Sequence, residues 1–470
     1  MWLLVILSLV NASVNQKSFL LAYRLQIGGL PINIFDVLLI IAFLWACFAG
    51  RGARRMQTDR VHPLLPWILI FLFGALAVGS IIGIRNFTIG LSLRRYFTFI
   101  RDFACLPLGL VVGYRLLPHL RAAWSWRWVV ILCGCVTAIM IILFFKGRGE
   151  DLGITPNLDA LRAEDYVPSY AGIASNLLFY TLIAGPPIFK RFNRFFSVPL
   201  AGFCLVGNAA TLNRSDWLAI LFAAGSVFVA LPKGRRAGAI FKGLIFSAML
   251  AGFIMLGLYA AGRVTGLDFT SKMGTRVKSM LPFQDESSSQ KKAWANRLPG
   301  MLREVELWSH SPVWGQGVGI QDSLMGESME VYVTSRHNSW TCILAEYGLI
   351  GFTGAFLLIG GCLLVGWRMC HDRLEVGSTF VGALGMITAV HFAVLGFATN
   401  GFVSQRPAML LGITCGMVLR ARAMQLTVAR QYAAGYLDAD PSYDDLASLI
   451  DENGGTLAYP DALPETSRNY

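Results

Sequence analysis

Long apolar runs, continuous rather than alternating, fill most of this chain and are separated by short polar connections rich in arginine and lysine. Runs of about 17 to 25 apolar residues are long enough to cross a bilayer as helices, and only helices or closed barrels satisfy their backbones there. A barrel strand would alternate apolar and polar residues, so continuous runs predict helices. Spans are expected at Leu3–Val14, Ile32–Gly50, Leu64–Ile84, Phe103–Leu117, Trp128–Phe145, Ala171–Phe189, Val198–Leu212, Trp217–Leu231, Ala239–Ala261, Asn338–Trp367, Ser378–Ala398 and Pro407–Leu419. The fold class predicted is all-α, a polytopic transmembrane helical bundle of about twelve spans.

The polar connections orient the bundle. Arg51, Arg54, Arg55 and Arg60 fall on the same side as Arg121 and Arg127, Lys190, Arg191 and Arg194, Lys233, Arg235 and Arg236, and Arg368 and Arg373. Short loops rich in Lys and Arg stay in the cytoplasm, which places both termini inside and the stretch from Arg263 to His337 outside. The chain then divides into N-terminal transmembrane helices (1–262), an outward loop with a surface helix (263–337), C-terminal transmembrane helices (338–422) and an acidic cytoplasmic tail (423–470). Met1-Trp2-Leu3 lacks the basic start of a signal peptide, so the first span is expected to be retained.

Composition narrows the chemistry. The chain is 55% hydrophobic and 14% charged with mean hydropathy +0.55, where a soluble domain is about 25% charged. Its net charge of +12 comes mainly from the topology-setting loops, and no basic stripe with stacking aromatics lies in a soluble segment, so no nucleic acid is expected. All nine cysteines lie in or beside apolar spans. Cys133-Gly134-Cys135 has neither zinc-ribbon spacing nor a nearby histidine, and no metal or cofactor is expected. Asp438-Ala439-Asp440 has the spacing of a metal-holding carboxylate pair, but in an acidic tail it reads as a solvated charge cluster.

Four polar groups are placed for chemistry at the outer face. Ser335-Arg336-His337-Asn338 leads from the polar loop into a span. An imidazole titrates near neutral pH, and an interfacial histidine either moves a proton or merely bonds a loop carbonyl. Arg214, in Asn213-Arg214-Ser215-Asp216 between two spans, either pairs with Asp216 or grips an anion. Arg94 and Arg95 either snorkel to headgroups with Arg101 or contact an anionic substrate. Arg297 precedes a stretch in which Met301, Leu302, Val305 and Trp308 recur at helical spacing, predicting a surface helix. The following Gly315-Gln316-Gly317-Val318-Gly319 lacks the strand and lysine of a phosphate loop and reads as a turn.

Taken in order, Arg214 at a helix turn, Arg297 ahead of Pro312 and the glycines, His337-Asn338, and Glu346-Tyr347-Gly348-Leu349-Ile350-Gly351 resemble the bacterial O-antigen ligase and polymerase superfamily. The resemblance covers about Val198 to Trp367, and the His-Asn to Glu-x-Gly-x-x-Gly segment is its most specific part. It implies a GT-C-like glycosyltransferase of the bacterial inner membrane with a large periplasmic loop, no metal and no nucleotide sugar. The donor it implies is a glycan on undecaprenyl diphosphate. The acceptor is lipid A core in ligases and another glycan in polymerases. A lipid-linked glycan flippase is the competing class, which calls for polar groups at mid-membrane depth and paired repeats.

For that chemistry Arg214 and Arg297 suit the leaving diphosphate, since guanidinium keeps its charge and matches phosphate geometry. His337 suits the acceptor hydroxyl, as base or as orienting group, with Arg336, Asn338, Arg94 and Arg95 as further substrate contacts. Relatives carry an aromatic residue where this chain has Met301, so Arg303 is the alternative to Arg297. Glu346, nine residues past His337, falls on the opposite helix face and roughly 13 Å deeper. With Gly348 and Gly351, which admit a close neighbour, it is assigned to structural support.

Overall fold

The structure is a computed structural model that describes residues 25–27, 30–32, 34–48, 61–89, 91–116, 128–139, 141–142, 169–183, 193–210, 214–231, 233–266, 268, 300–320, 338–372, 376–398, 402 and 405–433. The expected first span, Arg297, Arg336, His337 and the acidic tail lie outside the described residues. Each of the other expected spans overlaps a helix. In chain order these are α1 (Ile34–Phe48), α2 (Leu64–Gly83), α3 (Leu93–Leu116), α4 (Trp128–Ile139), α5 (Ser169–Ile183), α6 (Asn193–Ala210), α7 (Arg214–Ala230) and α8 (Lys233–Thr265). After them come α9 (300–310), α10 (Ser339–Asp372), α11 (Val376–Ala398) and α12 (Gln405–Ala433).

Among the described residues, six helical segments are long and apolar enough to cross a membrane, in α2, α3, α8, α10, α11 and α12, while α4, α6 and α7 carry shorter apolar stretches. The protein is a multi-pass membrane protein built from helices. One departure from an all-α chain is a small antiparallel hairpin, Leu25–Ile27 with Leu30–Ile32, in which Leu25 pairs with Ile32 and Ile27 with Leu30. Gly28-Gly29 stands between the strands in the sequence, a pair suited to a two-residue hairpin connection.

Small residues decide which helices meet. Along α3 and α12, Gly109 and Gly113 face Gly412 and Gly416, and a Cβ at Gly412 would come within 2.5 Å of the Leu106 carbonyl oxygen. Such contacts let two backbones touch where lipid supplies no hydrophobic drive for helices to associate. The same device joins α10 to α11, where a Cβ at Gly366 would meet the Gly382 carbonyl at 2.5 Å. The helix α2 packs on the other side of α10, α7 lies against α11, and α5 and α6 pair with each other, with α8 beside α6. At the edge, α8 exposes Phe241, Leu244, Leu256 and Tyr259, an apolar surface suited to lipid.

The arginine-bearing segment read as a separate amphipathic stretch is the start of a spanning helix. α3 begins at Leu93, some ten residues before the expected span, so Arg94, Arg95 and Arg101 sit on its first turns. Tyr96 holds this start, donating its hydroxyl to the Ser80 carbonyl of α2 at 2.6 Å and packing against Phe87.

Candidate functional site

The first turn of α10 is fixed from two sides. Asn338 is buried, and its Oδ1 accepts the backbone N–H groups of Trp340 at 2.9 Å and Thr341 at 3.2 Å, the arrangement of a helix N-cap. Expected as a substrate contact, Asn338 thus has its side-chain oxygen engaged in starting the helix. Ser339 Oγ accepts the Phe402 N–H at 3.3 Å, and Trp340 Nε1 donates to the Ala393 carbonyl of α11 at 3.2 Å. The Trp340 ring packs against Phe352, Phe397 and Phe402.

On the other side lies α9. Asn338 Nδ2 approaches Met301 Sδ at 3.9 Å, and the Thr341 hydroxyl donates to Glu304 Oε2. Both contacts join residues 37 apart in sequence, so α9 and the first turn of α10 run alongside each other in the same direction. The face that docks is set by Met301 and the buried Glu304, whereas Leu302 and Val305 are exposed. Arg303 is exposed as well, away from the contact with α10.

Deeper in α10 the turn after α9 enters the helix itself. Gly348 adopts φ 63° and ψ −160°, which interrupts the helical hydrogen bonds. The carbonyls of Ala345 and Glu346 accept instead from Gln316 N–H at 2.8 Å and Gly317 N–H at 3.0 Å. In exchange Leu349 N–H donates to the Pro312 carbonyl at 2.8 Å. A Cβ at Gly348 would lie 2.5 Å from Gly315 N, so only glycine fits both the conformation and the space. The turn also reaches α2, where Val318 N–H donates to the Gly79 carbonyl at 3.0 Å, and the 3-10 turn just after it, where Asn86 Nδ2 donates to the Val318 carbonyl at 2.9 Å.

The glycine-rich turn is therefore a clasp between α2 and α10, and its amide groups are spent on protein oxygens, four of them carbonyls and one the Glu346 carboxylate. Glu346 belongs to the clasp: it is buried, and its Oε1 accepts the Gly319 N–H at 3.2 Å. Gly351 lies against Tyr347 and Ile343 of its own helix, and Gly354 meets Leu72 of α2. At Gly348 the close neighbour is the turn, not a helix.

Arginines gather at the same end of α2 and α3. Arg94 and Arg95 are exposed, and Arg101 pairs with the adjacent Asp102 at 3.2 Å. Arg85, which the sequence did not single out, donates Nη2 to the Gln316 carbonyl at 3.2 Å and to its side-chain oxygen. Gln316 Nε2 donates in turn to the Leu307 carbonyl at 3.0 Å, tying Arg85 to the end of α9.

Arg214 is the first residue of α7. Asp216, two residues on, is buried and faces the equally buried His391 of α11, with Oδ1 3.9 Å from Nε2. His391 had no assigned context in the sequence; the available signal was an imidazole in the middle of an apolar span, where polar groups are costly and face the bundle interior. Among the described residues no three His, Cys, Asp or Glu side chains come together in a group that could hold a metal ion.

The geometry described here falls largely in one stretch of chain, from α6 through α7, α8, α9 and the clasp into the first half of α10. Residues 199–356 match the family model described as O-antigen ligase. No curated protein matches the chain. The matched residues take in Arg214, Arg297, the Met301 and Glu304 contacts, His337-Asn338 and the Gly348 break. Over residues 199–356, then, this multi-pass membrane protein is similar to the O-antigen ligase family.

Proposed function

We propose that the protein transfers a glycan from undecaprenyl diphosphate to an acceptor hydroxyl at the periplasmic face of the bacterial inner membrane, as an O-antigen ligase. The observation that carries this reading is the meeting of α9 with the start of α10. Asn338, the residue after His337, touches Met301, the fourth residue after Arg297. Two described segments far apart in sequence, one following Arg297 and the other following His337, meet at one helix end. The family match over residues 199–356 supports the same reading.

In the proposed step the acceptor oxygen attacks the anomeric carbon of the donor sugar. A new carbon–oxygen bond forms as the bond from that carbon to the diphosphate breaks. His337 takes the acceptor proton or orients the hydroxyl, and undecaprenyl diphosphate departs with the bonding electron pair. Arg214 and Arg297 stabilise the negative charge that grows on the leaving oxygen, a task worth about 100- to 1,000-fold per donor in comparable sites. Base catalysis at His337 contributes about 100- to 10,000-fold. Arg94 and Arg95, exposed on the first turn of α3, are open to an anionic part of a lipid substrate.

The test is transfer of glycan from an undecaprenyl-diphosphate donor to lipid A core by the purified full-length protein. Loss of transfer in His337→Ala, with donor accumulating on the periplasmic side in cells, is the expected result. Unchanged surface glycan in a His337→Ala strain contradicts it. Growth of glycan on a second lipid-linked glycan, with no transfer to lipid A core, would make the protein a polymerase instead.

A further inference from the structure

Glu304 is a buried carboxylate, 5% exposed, on a helix whose neighbouring positions Arg303 and Val305 are open. Its Oε2 accepts the hydroxyl of Thr341, the third residue after Asn338 and the fourth after His337. Burying a carboxylate is costly unless its oxygens are bonded, and an apolar residue would dock α9 on α10 at lower cost. What a hydrogen bond adds is direction, because it fixes the height and rotation of one element against the other.

The placement gives that direction a use. Met301 and Glu304 stand at positions i and i+3 of α9, which share one face of a helix, and Arg297 comes four residues before Met301 in the sequence. Met301 and Glu304 meet Asn338 and Thr341 at the same offset in sequence, so the two elements are held in a defined register. Residue 337 is covalently bound to Asn338, about 3.8 Å away along the backbone.

We infer that Glu304 is a positioning residue for glycan transfer, its bond to Thr341 keeping the helix that follows Arg297 in register with the turn that follows His337. This rests on the roles given to His337 and Arg297 under the proposed function. Glu304 does not touch the reacting atoms. It sets the separation between the group that holds the diphosphate and the group that handles the acceptor, where a displacement of about 1 Å costs on the order of 100-fold in rate.

The experiment uses the full-length protein in lipid nanodiscs, with an undecaprenyl-diphosphate-linked oligosaccharide as donor and lipid A core as acceptor. Glu304→Ala is expected to lower kcat about 100-fold with donor KM within about threefold and an unchanged melting temperature. Glu304→Gln, whose amide oxygen still accepts the Thr341 hydroxyl, recovers most of that loss. Thr341→Val shows a loss of the same kind, and the double variant loses less than the product of the two single losses, because both remove the Thr341 bond. His337→Ala is assayed beside them. If His337→Ala is inactive while Glu304→Ala and Thr341→Val keep wild-type kcat, the positioning role is overturned and the proposed function stands. If His337→Ala is active, the proposed function falls. A loss in Glu304→Ala matched by a lowered melting temperature, or strictly additive with Thr341→Val, overturns positioning in favour of a structural role.

Discussion

Two joints hold residues 300–320 to α10, and they are made from different parts of the chain. At Gly348 the joint is backbone against backbone: Gln316 and Gly317 take over the carbonyls of Ala345 and Glu346. Around Asn338 and Thr341 the joint is side chain against side chain, through Met301 and Glu304. The first leaves no room for variation, since a Cβ at Gly315, Gly317 or Gly348 would strike main-chain atoms. The second can be changed one atom at a time without tearing a helix. Rigid backbone pairing makes the first joint, and adjustable side chains make the second.

The largest effect expected from breaking this contrast is at the backbone joint. Gly348→Val puts a β-branched residue at φ 63° and against Gly315 N, and should cost about 3 kcal/mol or more. Membrane accumulation and thermal melting in detergent would register it as loss of folded protein, with specific activity of the folded remainder preserved. Next is Glu346→Ala, which strips the acceptor from the Gly319 N–H and is expected to destabilise by about 1–3 kcal/mol. Its activity should track the folded fraction, unlike that of Glu304→Ala.

Smaller changes sharpen the side-chain joint. Asn338→Ala removes the cap of α10, a loss of about 1 kcal/mol, and Asn338→Asp, which keeps an accepting oxygen, restores most of it in the same melting assay. A control lies far from both joints. His62 is pushed down to about 4 from the usual 6.5, by burial first and then by the Arg422 charge, and its Nδ1 accepts the Leu64 N–H at 3.3 Å. The unfolded chain binds this proton more readily, so the stability His62 contributes is whole above pH 6.5 and is lost as pH falls toward 4. His62→Asn, which can still cap, should flatten the melting temperature over that interval and leave glycan transfer unchanged at neutral pH.

Which parts of this were legible in the sequence follows from what each part depends on. Helices such as α2 and α11 announce themselves through uninterrupted apolar runs, because backbone satisfaction in lipid leaves few alternatives. The start of α3 was misplaced because Arg94, Arg95 and Arg101 break its hydropathy, although helical geometry continues through them. The clasp was read as a plain turn, since its contacts are main-chain atoms and leave no side-chain signature beyond the glycines. Glu304 was passed over for a related reason. The spacing of Met301, Leu302, Val305 and Trp308 predicts a surface helix without saying which face docks, and the structure leaves Leu302 and Val305 exposed while burying the carboxylate. In lipid-facing surroundings apolar residues mark the outside as readily as the inside, so polarity at a buried position becomes the better guide.

The arginines offer the most direct measurement. The diphosphate is proposed to rest on Arg297, three residues ahead of α9, and not on Arg303, which is exposed on that helix. Purified Arg297→Ala and Arg303→Ala proteins, compared for transfer from an undecaprenyl-diphosphate donor, should differ sharply. Arg297→Ala is expected to lose about 100-fold or more in kcat/KM, while Arg303→Ala stays within about twofold of the parent protein. The reverse order, with Arg303→Ala inactive and Arg297→Ala unimpaired, would contradict the site as it is drawn here.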